Sequence, residues 1–264
     1  MKREPLSFEK ETIELQRHNT VVKANNLIQK SRFDLSTQQQ KMLLFIISQI
    51  SMFDEDFKLY DFEITEFCRI CGIDSNQGNI YKLLKEQIQK ISNKSLWIEL
   101  ENGKETLIRW IEKPYIDKRS GRIQIKLDND MKPYLLQLKE KFTEYDLIYT
   151  LNFKSKYSIR LYEYLKSIHY KDLEEYEKTI DITDFQRLLD SPYKTFRDFN
   201  KNVLQIAHKE INEYSDIIFD YELINKGRKV IKIVLKITPK DAWKRYTDRL
   251  LYEEILDKKR LENE

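Results

Sequence analysis

One stretch of this chain repeats itself at an offset near 118 residues, and that repetition restricts the possible folds more than any other feature. Ile64-Thr65-Glu66-Phe67-Cys68-Arg69 returns as Ile182-Thr183-Asp184-Phe185-Gln186-Arg187. At the same offset Leu35, Leu43, Ile47 and Ile50 fall on Phe153, Leu161, Leu165 and Ile168. Further on the offset slips to about 120, placing Leu83, Leu84, Ile91 and Ile98 over Val203, Leu204, Ile211 and Ile218. A length of 264 residues leaves each copy enough chain to bury its own core.

Each copy predicts the same order of elements. In the first, Ser36 is placed to cap a scaffold helix whose buried face is Met42, Leu43, Phe45, Ile46, Ile47 and Ile50. Phe57 to Phe62 alternates like a strand, and Thr65 is placed to cap a short helix that stops at Gly72. A second helix to about Ser92 turns Ile80, Leu84, Ile88 and Ile91 inward. Strands follow at 96–100, 106–111 and 122–127, the last two joined by the basic turn Asp117-Lys-Arg-Ser-Gly. The second copy predicts a scaffold helix over 155–170, a short helix over 183–189 and a long helix over 194–214. Strands at 219–224 and 230–237 then flank Asn225-Lys-Gly-Arg, in which Gly supplies the positive φ. A helix-turn-helix followed by a hairpin with a basic tip is a winged helix, so the chain is expected to be α+β, two tandem winged-helix domains related by internal duplication.

The chemistry of the exposed positions points to DNA. With Phe196, Phe199, Val203, Ala207 and Ile211 inward, the second long helix is left presenting Lys194, Thr195, Arg197, Asp198, Lys201, Asn202 and Gln205. These donors and acceptors suit base edges in a major groove. Lys226, Arg228 and Lys229 crown its wing. The first copy offers Asn76, Gln77, Asn79 and Lys82 at its helix start and Lys118, Arg119 and Arg122 at its hairpin tip. Net charge is only +3, but six bases and no acid lie between Ile224 and Lys240, while six acids and two lysines lie between Lys171 and Asp184.

Other chemistries lack their residues. Cys68 and Cys71 form a lone CxxC with no second pair, and His18, His169 and His208 are far apart, so a core role is expected for the thiols and neither a zinc site nor a rolling-circle nuclease centre is supported. Gly72 and Gly78 are wrongly spaced for a phosphate-binding loop. Asp128-Asn-Asp130 reads as the cap of an amphipathic helix over 131–141 rather than as a metal pair. The composition, 41% hydrophobic and 34% charged, with no long apolar run and no apolar leader after Met1, predicts a soluble cytoplasmic protein without cofactors.

Three segments resemble the Rep initiator proteins of iteron-type plasmids, which share a tandem winged-helix architecture. They are Val22-Lys-Ala-Asn-Asn-Leu-Ile with Leu35-Ser-Thr-Gln-Gln-Gln-Lys-Met-Leu-Leu, then Lys156-Tyr-Ser-Ile-Arg-Leu-Tyr-Glu-Tyr-Leu, then Phe199 to Asn212 with Tyr221 to Val230. The resemblance implies a non-catalytic protein that binds direct repeats in double-stranded DNA at an origin, helps open the duplex and recruits host replication proteins. It also implies dimerisation through the first unit, autorepression as a dimer, and major-groove contacts made chiefly by the second unit, here Lys194, Thr195, Arg197, Asp198 and Lys201. The expected division is an extension over 1–20, winged-helix domains over 21–142 and 143–240, and a helical tail over 241–264. Two other readings share the fold: a transcriptional regulator without initiator activity, and a protein-interaction scaffold. In the scaffold, Trp243, Tyr246, Leu250 and Leu251 of the tail would form a docking stripe, although intramolecular packing is the more usual role of such a stripe.

Overall fold

The computed structural model describes residues 7–73, 79–100, 102–169 and 174–261. The first part of the chain runs α1 (Ser7–Arg17), β1 (Thr20–Ala24), α2 (Asn25–Lys30), β2 (Ser31–Arg32), α3 (Thr37–Ile47), β3 (Tyr60–Glu63), α4 (Ile64–Cys71) and α5 (Ile80–Ser92). Strands β4 (Ser95–Glu99), β5 (Glu105–Arg109), β6 (Ile111–Asp117) and β7 (Arg122–Leu127) follow, then a 3-10 turn (Asn129–Met131), α6 (Lys132–Leu135) and β8 (Phe142–Asp146). The second part runs α7 (Ile148–Leu151), α8 (Lys156–Ile168), β9 (Tyr176–Asp181), α9 (Ile182–Leu188), α10 (Phe196–Phe199), a π-helical turn (Asn200–Leu204), α11 (Gln205–Tyr214), β10 (Ile217–Lys226), β11 (Lys229–Pro239) and α12 (Ala242–Leu261).

The duplication is visible in the sheets. Strands β3, β7 and β6 form one antiparallel sheet in that order, and β9, β11 and β10 form its counterpart. In each, the strand before a short helix pairs with the second strand of the wing hairpin. The scaffold helices begin as their sequences require. Ser36 and Gln39 make a reciprocal capping box at α3, and Ser155 Oγ accepts the Tyr157 N–H at α8. Met42 to Ile47 are all buried, as are Tyr157 to Leu165. Gly72 ends α4 with φ 62, and the Ile73 N–H closes that end on Cys68 O at 2.8 Å.

Several expectations give way. Thr65 caps nothing: β3 runs straight into α4, and the Ile64 N–H is met by Gly121 O of the hairpin at 2.9 Å. The strand expected from Phe57 is confined to Tyr60–Glu63. The strand expected over 106–111 breaks at Trp110, whose buried ring meets Phe33 edge-on at 4.9 Å and turns the chain from one sheet into the next. Ile98 therefore does not correspond to Ile218, because β4 joins β2 and β5 in a separate sheet and the counterpart of β10 is β6. The helix expected over 131–141 is a 3-10 turn and one α turn; Asp128 does cap it, but Gln137 at φ 50 and Lys141 at φ 53 lead the chain away.

Phe142 is the first residue of β8, which pairs with β1, and residues 7–17 form a helix packed on α4. The two units share a seam at α8. Lys23 Nζ meets Glu163 Oε1 at 2.7 Å, Tyr145 donates to the same oxygen at 2.5 Å, and Arg160 donates to Ser31 O and Leu188 O while lying over the Phe33 ring. The tail helix packs too, but through Asp248, Arg249, Tyr252 and Leu256. Trp243, Tyr246, Leu250 and Leu251 face outward with 73, 56, 52 and 50% exposure, so intramolecular packing is not their role. Cys68 and Cys71 lie in the core, and burial pushes the Cys71 thiol up to about 12.

Candidate nucleic-acid interface

The helix over 196–214 is built to present one polar face. Thr195 caps it, accepting the Asp198 N–H at 3.1 Å and donating to Asp198 Oδ2 at 2.7 Å, so the single acid of the face is turned back onto the cap. Phe199 anchors the inner side edge-on to Phe185 at 5.9 Å. The buried residues Phe199, Val203, Ala207 and Ile211 are spaced by four, and so are Arg197, Lys201 and Gln205 on the outside. In a regular α-helix each such step drifts by about 40°, which would splay both rows around the axis. The wide turn at Asn200–Leu204 takes up the drift, keeping the inner row on the core and bringing the outer three into line.

Lys194, Arg197, Lys201 and Gln205 are exposed and have no polar side-chain partner among the described residues. Asn202 is different: its amide donates to Asp198 O at 2.8 Å, so it braces the wide turn. The wing is fixed to this helix. Tyr221 donates to Asn200 Oδ1 at 3.1 Å, and Asn212 exchanges hydrogen bonds with both backbone groups of Phe219, at 2.6 and 2.9 Å. Asn200, Asn212 and Tyr221 were not singled out from sequence, and the strict four-residue spacing of the inner row was the available sign of the wide turn.

At the wing tip Lys226 pairs with Lys229 across the strands and Gly227 takes φ 64 at the first loop position, as a type II′ turn requires. Lys226, Arg228 and Lys229 are exposed there. The basic run behind them is partly spent inside the protein. Lys236 bridges Glu222 and Glu177, and Lys240 is buried against Asp248. Glu177 of the acidic stretch thus supplies a counter-charge from β9, while Lys232 and the three cations of the tip have no ion-pair partner among the described residues.

The first unit presents a thinner version. Asn76 and Gln77 lie outside the described residues. Asn79 and Lys82 are exposed at the start of α5, where Asn79 makes no side-chain capping bond. Lys118 and Arg119 are exposed on a tip held by Asp117, whose carboxylate accepts the Arg119 N–H at 2.9 Å and the Ser120 hydroxyl at 2.7 Å. Arg122 is already paired: it donates to Asp61 at 2.8 Å and Glu63 at 3.3 Å, which occupies its fork within the sheet. Hydrogen bonds from Gln124 and Arg122 hold the Asp61 carboxyl below its usual range.

Known proteins share this architecture. The initiator replication protein WH1 model matches residues 20–166, and the initiator Rep protein WH2 model matches residues 181–237. A replication initiation protein of Escherichia coli is 27% identical over 209 residues, covering 75% of this chain and 63% of that protein, so the chain spans less than two thirds of that relative's length. An uncharacterized 27.6 kDa protein of Escherichia coli is 21% identical over 231 residues, covering 83% of this chain and 95% of that protein. The crystal structure of the Pi initiator protein in complex with iteron DNA shares the fold, with a TM-score of 0.68 at 18% identity over 85% of this chain and 99% of that one. With the WH1 match alone spanning more than half of its length and the WH2 match falling on the second helix and wing, the chain belongs to the initiator replication protein family.

Proposed function

We propose that this protein initiates plasmid replication by binding direct repeats in double-stranded DNA at an origin, without catalysing a reaction and without a cofactor. The observation that carries the reading is the aligned, unpartnered row Arg197, Lys201 and Gln205, with Lys194 just ahead of it, beside the basic tip Lys226, Arg228 and Lys229. The row suits the major groove and the tip suits the flanking phosphates. The second unit acts as the main reader. The first adds contacts through Asn79, Lys82, Lys118 and Arg119. The likeness to the Pi initiator and to the replication initiation protein supports extending this to duplex opening and recruitment of host replication proteins.

Monomers and homodimers both have a place in this reading. Strand β5 lies at the open edge of its sheet, and the cross-strand partners Trp97 and Leu107 are 47 and 52% exposed, a surface suited to self-pairing and to autorepression as a dimer. No described helix is long and apolar enough to cross a membrane, and the cytoplasm is the proposed compartment. Footprinting on DNA of the source replicon tests the whole reading. Protected blocks recurring about every 20 base pairs, two helical turns, are expected. A single isolated operator would favour a transcriptional regulator, and no protection at moderate salt would leave a protein-interaction scaffold.

A further inference from the structure

Helix α12 starts at the end of the second unit's wing and finishes against the helix-turn-helix of the first. At its start, buried Lys240 donates to Asp248 at 2.7 Å and to Asn212 O at 2.9 Å, and Tyr252 donates to Glu213 O at 2.7 Å, so α12 is fastened to the far end of the second reader helix. In its middle, Arg249 pairs with Asp146 and donates to Tyr149 at 2.8 Å, between the units. At its end, Leu256 lies so close to Gly72 that a Cβ there would come within 2.8 Å of Leu256 Cδ2. Glu253 and Asp257 both take the guanidinium of Arg17, the latter at 3.1 Å. Arg17 is 1% exposed and spends its other donors on Arg69 O at 2.7 Å and Ile70 O at 3.2 Å, the last carbonyls of α4 just before the first turn.

Buried charges and carbonyls of this kind are costly to leave unmatched, so these linked hydrogen bonds and ion pairs resist sliding in a way that apolar packing alone does not. We infer that α12, clasped by Arg17, is a spacer that sets the distance and rotation between the two DNA-contacting units, making Arg17 and Leu256 positioning residues for DNA recognition. The inference rests on the proposed DNA reading. It adds that the protein measures the interval between the two half-contacts within one site, through residues that touch no DNA.

The test uses the full chain and duplexes carrying its own footprinted site, with and without one base pair inserted between the stretches protected by the two units. One base pair shifts the second stretch by about 3.4 Å and turns it by about 35°. The unaltered protein is expected to bind about tenfold or more weakly on the insertion, whereas Leu256→Ala and Arg17→Met weaken by less than about threefold. An undiminished penalty in both variants overturns the inference, while failure of the unaltered protein to bind either duplex overturns the DNA reading itself. A second measurement needs no DNA. Spin labels on Lys118→Cys and Arg228→Cys, one on each wing tip, should give a narrow distance distribution that broadens or shifts in Leu256→Ala, and an unchanged distribution overturns the spacer. Cys68 and Cys71 are buried and stay unlabelled.

Discussion

The two winged-helix units have the same sheet order and the same helix before the turn, yet they use their charges in opposite ways. In the second unit the helix face and wing tip are left open because the neighbouring acids are engaged elsewhere: Asp198 with its cap, Glu177 and Glu222 with Lys236. In the first, Lys118 and Arg119 stay exposed at the tip, but Arg122, the first residue of β7, is consumed by Asp61 and Glu63. What the first unit has instead is an extra sheet, β2-β4-β5, with an open edge and an exposed tryptophan. Duplication supplied one architecture, and the placement of acids decides how many cations each copy leaves unpaired.

The largest expected effect lies where the copies meet. Glu163→Ala strands Lys23 in the α8 seam and should lower unfolding free energy by about 3–5 kcal/mol in urea titration. A decrease below about 1 kcal/mol would show that the seam tolerates an unpaired Lys23 and that the units are held by packing alone. For recognition, Arg197→Ala should weaken binding to the cognate repeat by about 1–3 kcal/mol while leaving nonspecific binding nearly unchanged, with Lys82→Ala in the first unit costing less than half as much. Equal costs in competition titrations would erase the distinction between main and auxiliary reader.

Smaller differences test the details. Thr195→Ala removes a cap and should cost about 1 kcal/mol in thermal melts, whereas Asn79→Ala, at an end with no side-chain capping bond, should be near neutral. At the wings, Lys226→Ala or Arg228→Ala should lower the slope of log affinity against log salt by about one unit for each phosphate no longer neutralised. Arg122→Ala should leave that slope where it was. A slope change in Arg122→Ala would mean that DNA draws the guanidinium away from Asp61.

Much of this was legible in the residues because it is local. The cap at Ser36, the start of the second scaffold helix at Ser155, the helix stop at Gly72, the turn glycine Gly227 and the repeated Ile-Thr-x-Phe segments each act within a few residues of themselves. The rest depends on distant partners. Alternation in β4 shows a strand but not that β2 claims it, and a basic residue after a turn looks free until Asp61, some sixty positions earlier, is brought beside it. The outward stripe on α12 illustrates the same limit: both faces of that helix carry apolar residues, and only distant partners select the buried ones, Tyr149 and Tyr214 for Tyr252 and Gly72 for Leu256. Within the reader helix, the strict spacing of four was visible, but a wide turn has to be weighed against a curved helix, and the brace from Asn202 becomes evident only in three dimensions.

That wide turn makes the reader helix tolerant of changes in length. A helix of uniform pitch that gains or loses a residue must rotate everything on one side of the change, dragging core positions to the surface. Here the surplus residue is already accommodated at Asn200–Leu204. Deleting one residue from that turn would shorten the interval from Phe199 to Ala207 to seven, close to two regular turns, and both ends would keep their facing. The change would fall within the turn itself, on Lys201 of the outward row, on buried Val203 and Leu204 and on Asn200, which holds the wing. A single-codon deletion is therefore expected to act locally, altering the outward row at that turn while Phe199 and Ala207 on either side keep their facing.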